Sequence, residues 1–136
     1  MEIVIEKAQG RVPVTVVKIA GKLDGSTYES LIAKAKELVG AGAVDVLIDL
    51  SATDYMSTAG LVALQSIARL LRGEALADPD HGWEAIRGVA REGMGGKQKH
   101  FKLLNPTPKI LATLETTGLK DSFEVFANQD EAIKSF

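Results

Sequence analysis

The sequence predicts an α/β fold: a mixed sheet of four to five strands with helices packed mainly on one side. Three observations predict it. Alternating aliphatic residues lie on both sides of Gly10, with Ile3 and Ile5 before it and Val12, Val14 and Val16 after it. That period of two around a glycine reads as two strands joined in a hairpin. The run VDVLIDL, Val44 to Leu50, is continuous and of strand length, as expected of a parallel strand buried on both faces. Later segments repeat their apolar residues at the helical period. A hairpin followed by alternating helices and strands makes a mixed sheet that carries helices.

Each element has its own local signal. Gly21 closes the second strand, and LDGST follows it. Ser26 or Thr27 is placed to cap a helix that runs to about Val39, with Leu31, Ala35 and Leu38 on its buried stripe. GAGA stops that helix. After the Val44 to Leu50 strand, which should be the most buried, SATDYMST reads as a polar turn. A second helix runs from about Ala59 to Leu71. Residues 73–99 break the rhythm. They hold acids and Pro79, a short amphipathic stretch with Trp83, Ile86 and Val89, and then GMGGKQK. This segment reads as an insertion into the domain, a loop with room for one helix, dispensable for folding. FKLL, Phe101 to Leu104, is a short strand. Thr107 and Pro108 form an N-cap and first-turn pair for a helix that reaches Thr117 and stops at Gly118. Phe123 to Phe126 suits a last short strand, and Asn128 or Asp130 starts a terminal helix.

Composition narrows the function. The chain has 136 residues, a length suited to one domain, and a formal charge of −2. No basic stripe with interleaved aromatics occurs, which argues against nucleic-acid binding. No apolar run approaches the roughly 20 residues of a membrane span, and the start of the chain alternates acids with apolar residues, unlike a signal peptide. The expected compartment is the cytoplasm, in keeping with the absence of cysteine. His81 and His100 have no second ligand at metal-binding spacing and read as exposed loop residues. GMGGKQK precedes a strand, whereas a phosphate loop follows one and opens a helix. No G-x-S-x-G elbow is present. The expectation is a protein that is not an enzyme, with no catalytic residue, metal or cofactor.

The informative place is the junction from Asp49-Leu50-Ser51 through Asp54-Tyr55-Met56 to Ser57-Thr58-Ala59-Gly60-Leu61. A buried strand ends there and a helix begins at small residues. Open α/β sheets meet ligands and partners at the carboxyl ends of their parallel strands. A helix N-terminus offers unpaired N–H groups and partial positive charge that stabilise a phosphate. Ser57 or Thr58 is therefore placed either to cap the helix or to accept a phosphoryl group; spacing alone favours the cap and leaves the acceptor open. On the helical wheel, Leu61, Leu64, Ala68 and Leu71 form the core stripe with Ile67 beside it. Val62, Gln65, Ser66 and Arg69 share the opposite face, which would be exposed and could serve as a docking strip.

Three blocks, IAGKLDGST, VLIDLSATDYMSTAGL and LLNPTPKILATLETTGL, occur in this order. Together they resemble the STAS domain of bacterial anti-sigma factor antagonists, over nearly the whole chain except residues 73–99. The resemblance implies a STAS-like sheet and a non-enzymatic regulator that sequesters an anti-sigma factor Ser/Thr kinase and so frees a sigma factor. By alignment of S-T-A-G with the family motif, it implies Thr58 as the phosphorylated residue, with Ser57 the alternative. Ser57 takes a position where many members carry Asp or Ser. Asp24 matches an acidic residue of the loop before the first helix, near the phosphosite. The implied partner surface is Asp24, Ser57, Thr58, Val62, Gln65, Ser66 and Arg69. An acceptor Thr also occurs in scaffold-type members, so a subunit of a stress-signalling or transporter complex stays open, as does a homodimer or larger assembly.

Overall fold

The computed structural model describes residues 1–72 and 99–136. Strand β1 (Glu2–Gln9) turns at Gly10 into β2 (Pro13–Leu23). Helix α1 (Tyr28–Gly40) leads to β3 (Val46–Asp49), β4 (Thr53–Met56) and helix α2 (Thr58–Leu71). Strand β5 (Phe101–Leu104), helix α3 (Pro108–Thr117), a 3-10 turn (Leu119–Ser122), β6 (Glu124–Phe126) and helix α4 (Gln129–Lys134) complete the described chain. The expected hairpin is the antiparallel β1–β2 pair, with Gln9 opposite Pro13. All other pairings are parallel. The strand order is β1-β2-β3-β5-β6, with β4 added beside the end of β2. The sheet is thus mixed, as predicted, and one strand richer than four or five.

The sixth strand corrects the reading of SATDYMST as a plain turn. Only Ser51 and Ala52 turn; Thr53–Met56 is β4. It pairs with β2 from Gly21 to Leu23, past an irregularity in register between Gly21 and Lys22. Its hold on the sheet is a buried side chain, since Thr53 Oγ1 donates to the Ile19 carbonyl at 2.7 Å.

The sheet divides two apolar clusters. One face meets α1, α2 and α3 through Leu31, Ala35, Leu61, Leu64, Ile67, Ile110 and Leu114, packed on Val17, Ile19, Ile48 and Leu103. Phe101 and Phe123 meet inside it with ring centroids 5.0 Å apart, tilted by 59°. Such a pair contributes about 0.5–1.5 kcal/mol beyond its buried area. The other face carries a smaller cluster of Val14, Val16, Leu47 and Leu104 under Ala132 and Ile133 of α4. Three of the four described helices therefore share one side.

The central strand, Val46–Asp49, is shorter than the predicted Val44 to Leu50 at both ends. Val46 to Leu50 is buried throughout, whereas Val44 is 57% exposed. Lys102 lies on the second face, nearly all of it buried. Its Nζ donates to the Ser135 carbonyl and hydroxyl, each at 2.9 Å, and lies 3.6 Å from Glu124. A buried ammonium needs such partners to offset its lost hydration.

Helix ends follow local chemistry. Thr107 Oγ1 accepts from the Ile110 amide, and Gly118 takes the left-handed φ of 78° that stops α3. Asn128 caps α4 by accepting from the Glu131 amide. Thr27 is the residue before α1, yet its hydroxyl turns back to donate to the Lys22 carbonyl and accept from the Asp24 amide. The proposed inserted segment, with His81, Trp83, Ile86, Val89 and GMGGKQK, lies outside the described residues apart from its last position.

Candidate functional site

Two chain segments leave the sheet side by side at one edge. Leu23, at the end of β2, is in register with Met56, at the end of β4. The next step is fixed by the backbone: the Ser57 amide donates to the Leu23 carbonyl at 3.0 Å. Gly60, one turn further, explains why small residues follow. A Cβ built there would lie 2.7 Å from the Leu23 carbonyl oxygen and 2.7 Å from Met56 Cγ. Only glycine lets the first turn of α2 sit this close to the end of β2.

The loop that follows Leu23 is organised by Asp24. Its Oδ1 accepts from the Ser26 hydroxyl at 2.7 Å and the Ser26 amide at 2.9 Å. Its carbonyl accepts from the Thr27 and Tyr28 amides and so begins α1. The Ser26 hydroxyl and then the Ser26 amide hold the Asp24 carboxyl below the usual aspartate range. Asp24 thus stays anionic at neutral pH, in the loop that continues from Ser57's hydrogen-bond partner.

The helix terminus itself is not closed by a side chain. Ser57 occupies the cap position with extended backbone, φ −91° and ψ 179°, but makes no side-chain cap hydrogen bond. Its Oγ is buried and has no partner. Thr58 is the first helical residue and is half-buried. The first turn of α2 contains no acid, so no carboxylate of that turn offsets the partial positive charge of the helix end. The simple cap expected of Ser57 or Thr58 is therefore not made by Ser57, the residue placed to make it.

Two residues outside the predicted partner surface meet beside this edge. Tyr55, on β4, is 39% exposed. The Lys109 ammonium, from the first turn of α3, lies 5.4 Å from the centre of its ring, within cation–π range. The strand-favouring Thr53 and Tyr55 were the available signal; in the structure Thr53 and Met56 are buried and Asp54 and Tyr55 exposed.

The expected docking strip along α2 needs correction. Val62, Gln65 and Ser66 are buried, at 1%, 0% and 0% exposure, and Arg69 is half-buried. Val62 belongs to the main core cluster. Ser66 Oγ donates to the Val62 carbonyl at 2.8 Å, and neither polar atom of the Gln65 amide has a partner. A helical wheel counts polarity, and polarity at 65 and 66 does not mean exposure. The surface that remains open from the predicted set is the Asp24 loop and the Ser57–Thr58 turn.

His100 stands elsewhere, before β5 at the amino ends of the parallel strands. Its Nδ1 lies 2.7 Å from Asp45 Oδ1, a partner 55 residues away that no local motif announces. Among the described residues no group of three or more histidines and acids could hold a metal ion. None of the described helices is long and apolar enough to cross a membrane.

Comparison with known proteins gives the same architecture. A model of the STAS domain family matches residues 5–76, more than half of the chain. No curated protein matches it in sequence. Among solved structures, an anti-sigma factor antagonist from Mycobacterium paratuberculosis superposes with a TM-score of 0.64 at 20% identity, covering 98% of this chain and 92% of that one. The anti-sigma factor antagonist SpoIIAA in its unphosphorylated form gives 0.68 at 19% identity, covering 97% and 93%. A variant of RsbS from Moorella thermoacetica gives 0.61 at 20% identity, covering 99% and 95%.

Proposed function

The chain belongs to the STAS domain family, and from that membership we propose that it is a phosphorylation-switched anti-sigma factor antagonist. In this reading residues 1–136 form one domain, interrupted at about residues 73–99. The unphosphorylated protein binds an anti-sigma factor kinase and frees a sigma factor. Phosphorylation at Thr58, with Ser57 the alternative, ends the complex. Two of the structural neighbours above are named as anti-sigma factor antagonists, which supports this class of function.

One observation carries the reading: α2 begins at an edge of the sheet with two hydroxyls and no side-chain cap at Ser57. The first N–H groups of a helix have no intrahelical partner, and they and the helix dipole favour an anion. A phosphoryl group on Thr58 would find those donors at once. It would bring about −1.5 to −2 charge at neutral pH to an edge that already carries Asp24. A partner surface that tolerates the neutral edge would then meet added repulsion and a desolvation cost. Docking in this proposal uses the Asp24 loop and the Ser57–Thr58 turn. Val62, Gln65 and Ser66 take part by shaping α2 from within.

The experiment is a binding assay with an anti-sigma factor kinase and two variants. Thr58→Ala should bind the kinase whether or not ATP is present. The unmodified chain should bind it and be released with ATP. Thr58→Glu, with one negative charge at the edge, should bind more weakly. Isolation of the chain in a large assembly, with ATP changing nothing, would favour the scaffold reading instead.

A further inference from the structure

The two ends of the sheet differ. Strand β6 is three residues long, whereas β1 has eight and an unbroken register with β2. Among the described residues no strand pairs with the outer edge of β1. Native edge strands are usually blunted by shortness, proline, bulges or charge. β1 is long, has no proline and has no register shift; it carries the exposed charges Glu2, Glu6 and Lys7, of mixed sign, and it exposes Val4 at 49%.

The hydrogen bonds of β2 show which groups of β1 face outward. The Thr15 amide donates toward β3, to the Asp45 carbonyl, and the Gly21 amide donates to the Ala52 carbonyl. The Ile19 carbonyl accepts from Thr53 on that same side. Backbone groups alternate along a strand, so Val14, Val16, Lys18 and Ala20 turn toward β1. Their partners are Ala8, Glu6, Val4 and Glu2. The N–H and C=O groups of Ile3, Ile5 and Lys7 therefore point to the free edge.

Charge then selects one pairing with a second copy. An antiparallel twofold pairing must match outward groups and sheet faces, which sets the axis at a residue. An axis at Ile3 pairs only Glu2 to Val4 of the strand, and one at Lys7 sets that lysine against itself, leaving Val4, Ile5 or Glu6. An axis at Val4 sets Glu2 against Glu6, and an axis at Glu6 sets that residue against itself. Like charges directly opposite are destabilising. An axis at Ile5 opposes Ile5 with Ile5, Val4 with Glu6, Ile3 with Lys7 and Glu2 with Ala8. No like charges meet, and Ile3 and Ile5, already packed against the core, continue that apolar surface across the junction. We propose that β1 pairs antiparallel with β1 of a second copy across a twofold axis at Ile5, joining two sheets into one.

The test is sedimentation equilibrium of the full chain with two substitutions at Val4. Within one chain Val4 lies opposite Lys18, which pairs with Glu6 at 3.2 Å. There Val4→Glu gains an opposite charge and Val4→Lys a like one. Across the proposed junction the signs reverse, because Val4 faces the second copy's Glu6. The chain should be dimeric. Val4→Glu should raise the dimer dissociation constant about tenfold, and Val4→Lys should lower it, while denaturation of each variant confirms folding. A chain monomeric across the measurable range overturns the proposal, even if it captures an extended segment of another protein. A dimer indifferent to both variants, or weakened by both, overturns the Ile5 axis.

Discussion

The Ser57 amide donates to the Leu23 carbonyl at 3.0 Å, so the turn that starts α2 is anchored to the residue just before Asp24. One hydrogen bond thus ties the candidate acceptor turn to the acidic loop. Neither segment can move far without the other.

Gly60 packs against the same carbonyl. Gly60→Ala would set a methyl group 2.7 Å from the Leu23 oxygen. Overpacking of this kind costs about 1–3 kcal/mol. Urea unfolding should show that loss. The variant should also bind the kinase partner less well, because relief of the clash requires α2 to shift from β2.

The strand that carries Tyr55 is held by Thr53. Thr53→Val keeps the shape but removes the hydroxyl that donates to the Ile19 carbonyl. A buried carbonyl left without that partner costs about 1–3 kcal/mol. Hydrogen exchange should then quicken along β4 more than along β3, whose pairing with β2 and β5 is untouched.

Much of this architecture was legible because its signals are local. The Thr107–Pro108 start, the Gly118 stop and the Asn128 cap each depend on residues a few positions apart. FKLL is bounded by polar residues, and its strand is found as read. β4 was hidden because its partner, β2, lies about thirty residues back and pairs over only three positions. Gln65 and Ser66 were misplaced for another reason: a wheel ranks faces by polarity, while burial is set by what packs there. The His100–Asp45 contact joins loops that only the sheet brings together. The Ser57–Thr58 turn was found by its motif, but the missing side-chain cap at Ser57 is a matter of geometry.

Asp24 gives a pH dependence with a definite sign. Its carboxyl is held below its ordinary value of 3.8 in the folded chain by the Ser26 hydroxyl and amide. A depressed folded value means that the stabilisation is present above the unfolded value and is lost as pH falls through the folded one. The melting temperature should therefore drop in that acid window, and Asp24→Asn should flatten this part of the curve. An identical acid limb in Asp24→Asn would remove the carboxylate from its role in the loop.

In the proposed switch the start of α2 accepts a phosphoryl group from the bound partner. Its most direct test is mass-spectrometric mapping of the chain after incubation with an anti-sigma factor kinase and ATP. One phosphate is expected on Thr58, absent from Thr58→Ala, with loss of the complex as it accumulates; a phosphate on Ser57 would move the acceptor by one residue within the same turn. An unmodified Ser57–Thr58 turn, in a complex that ATP leaves intact, would contradict the switch.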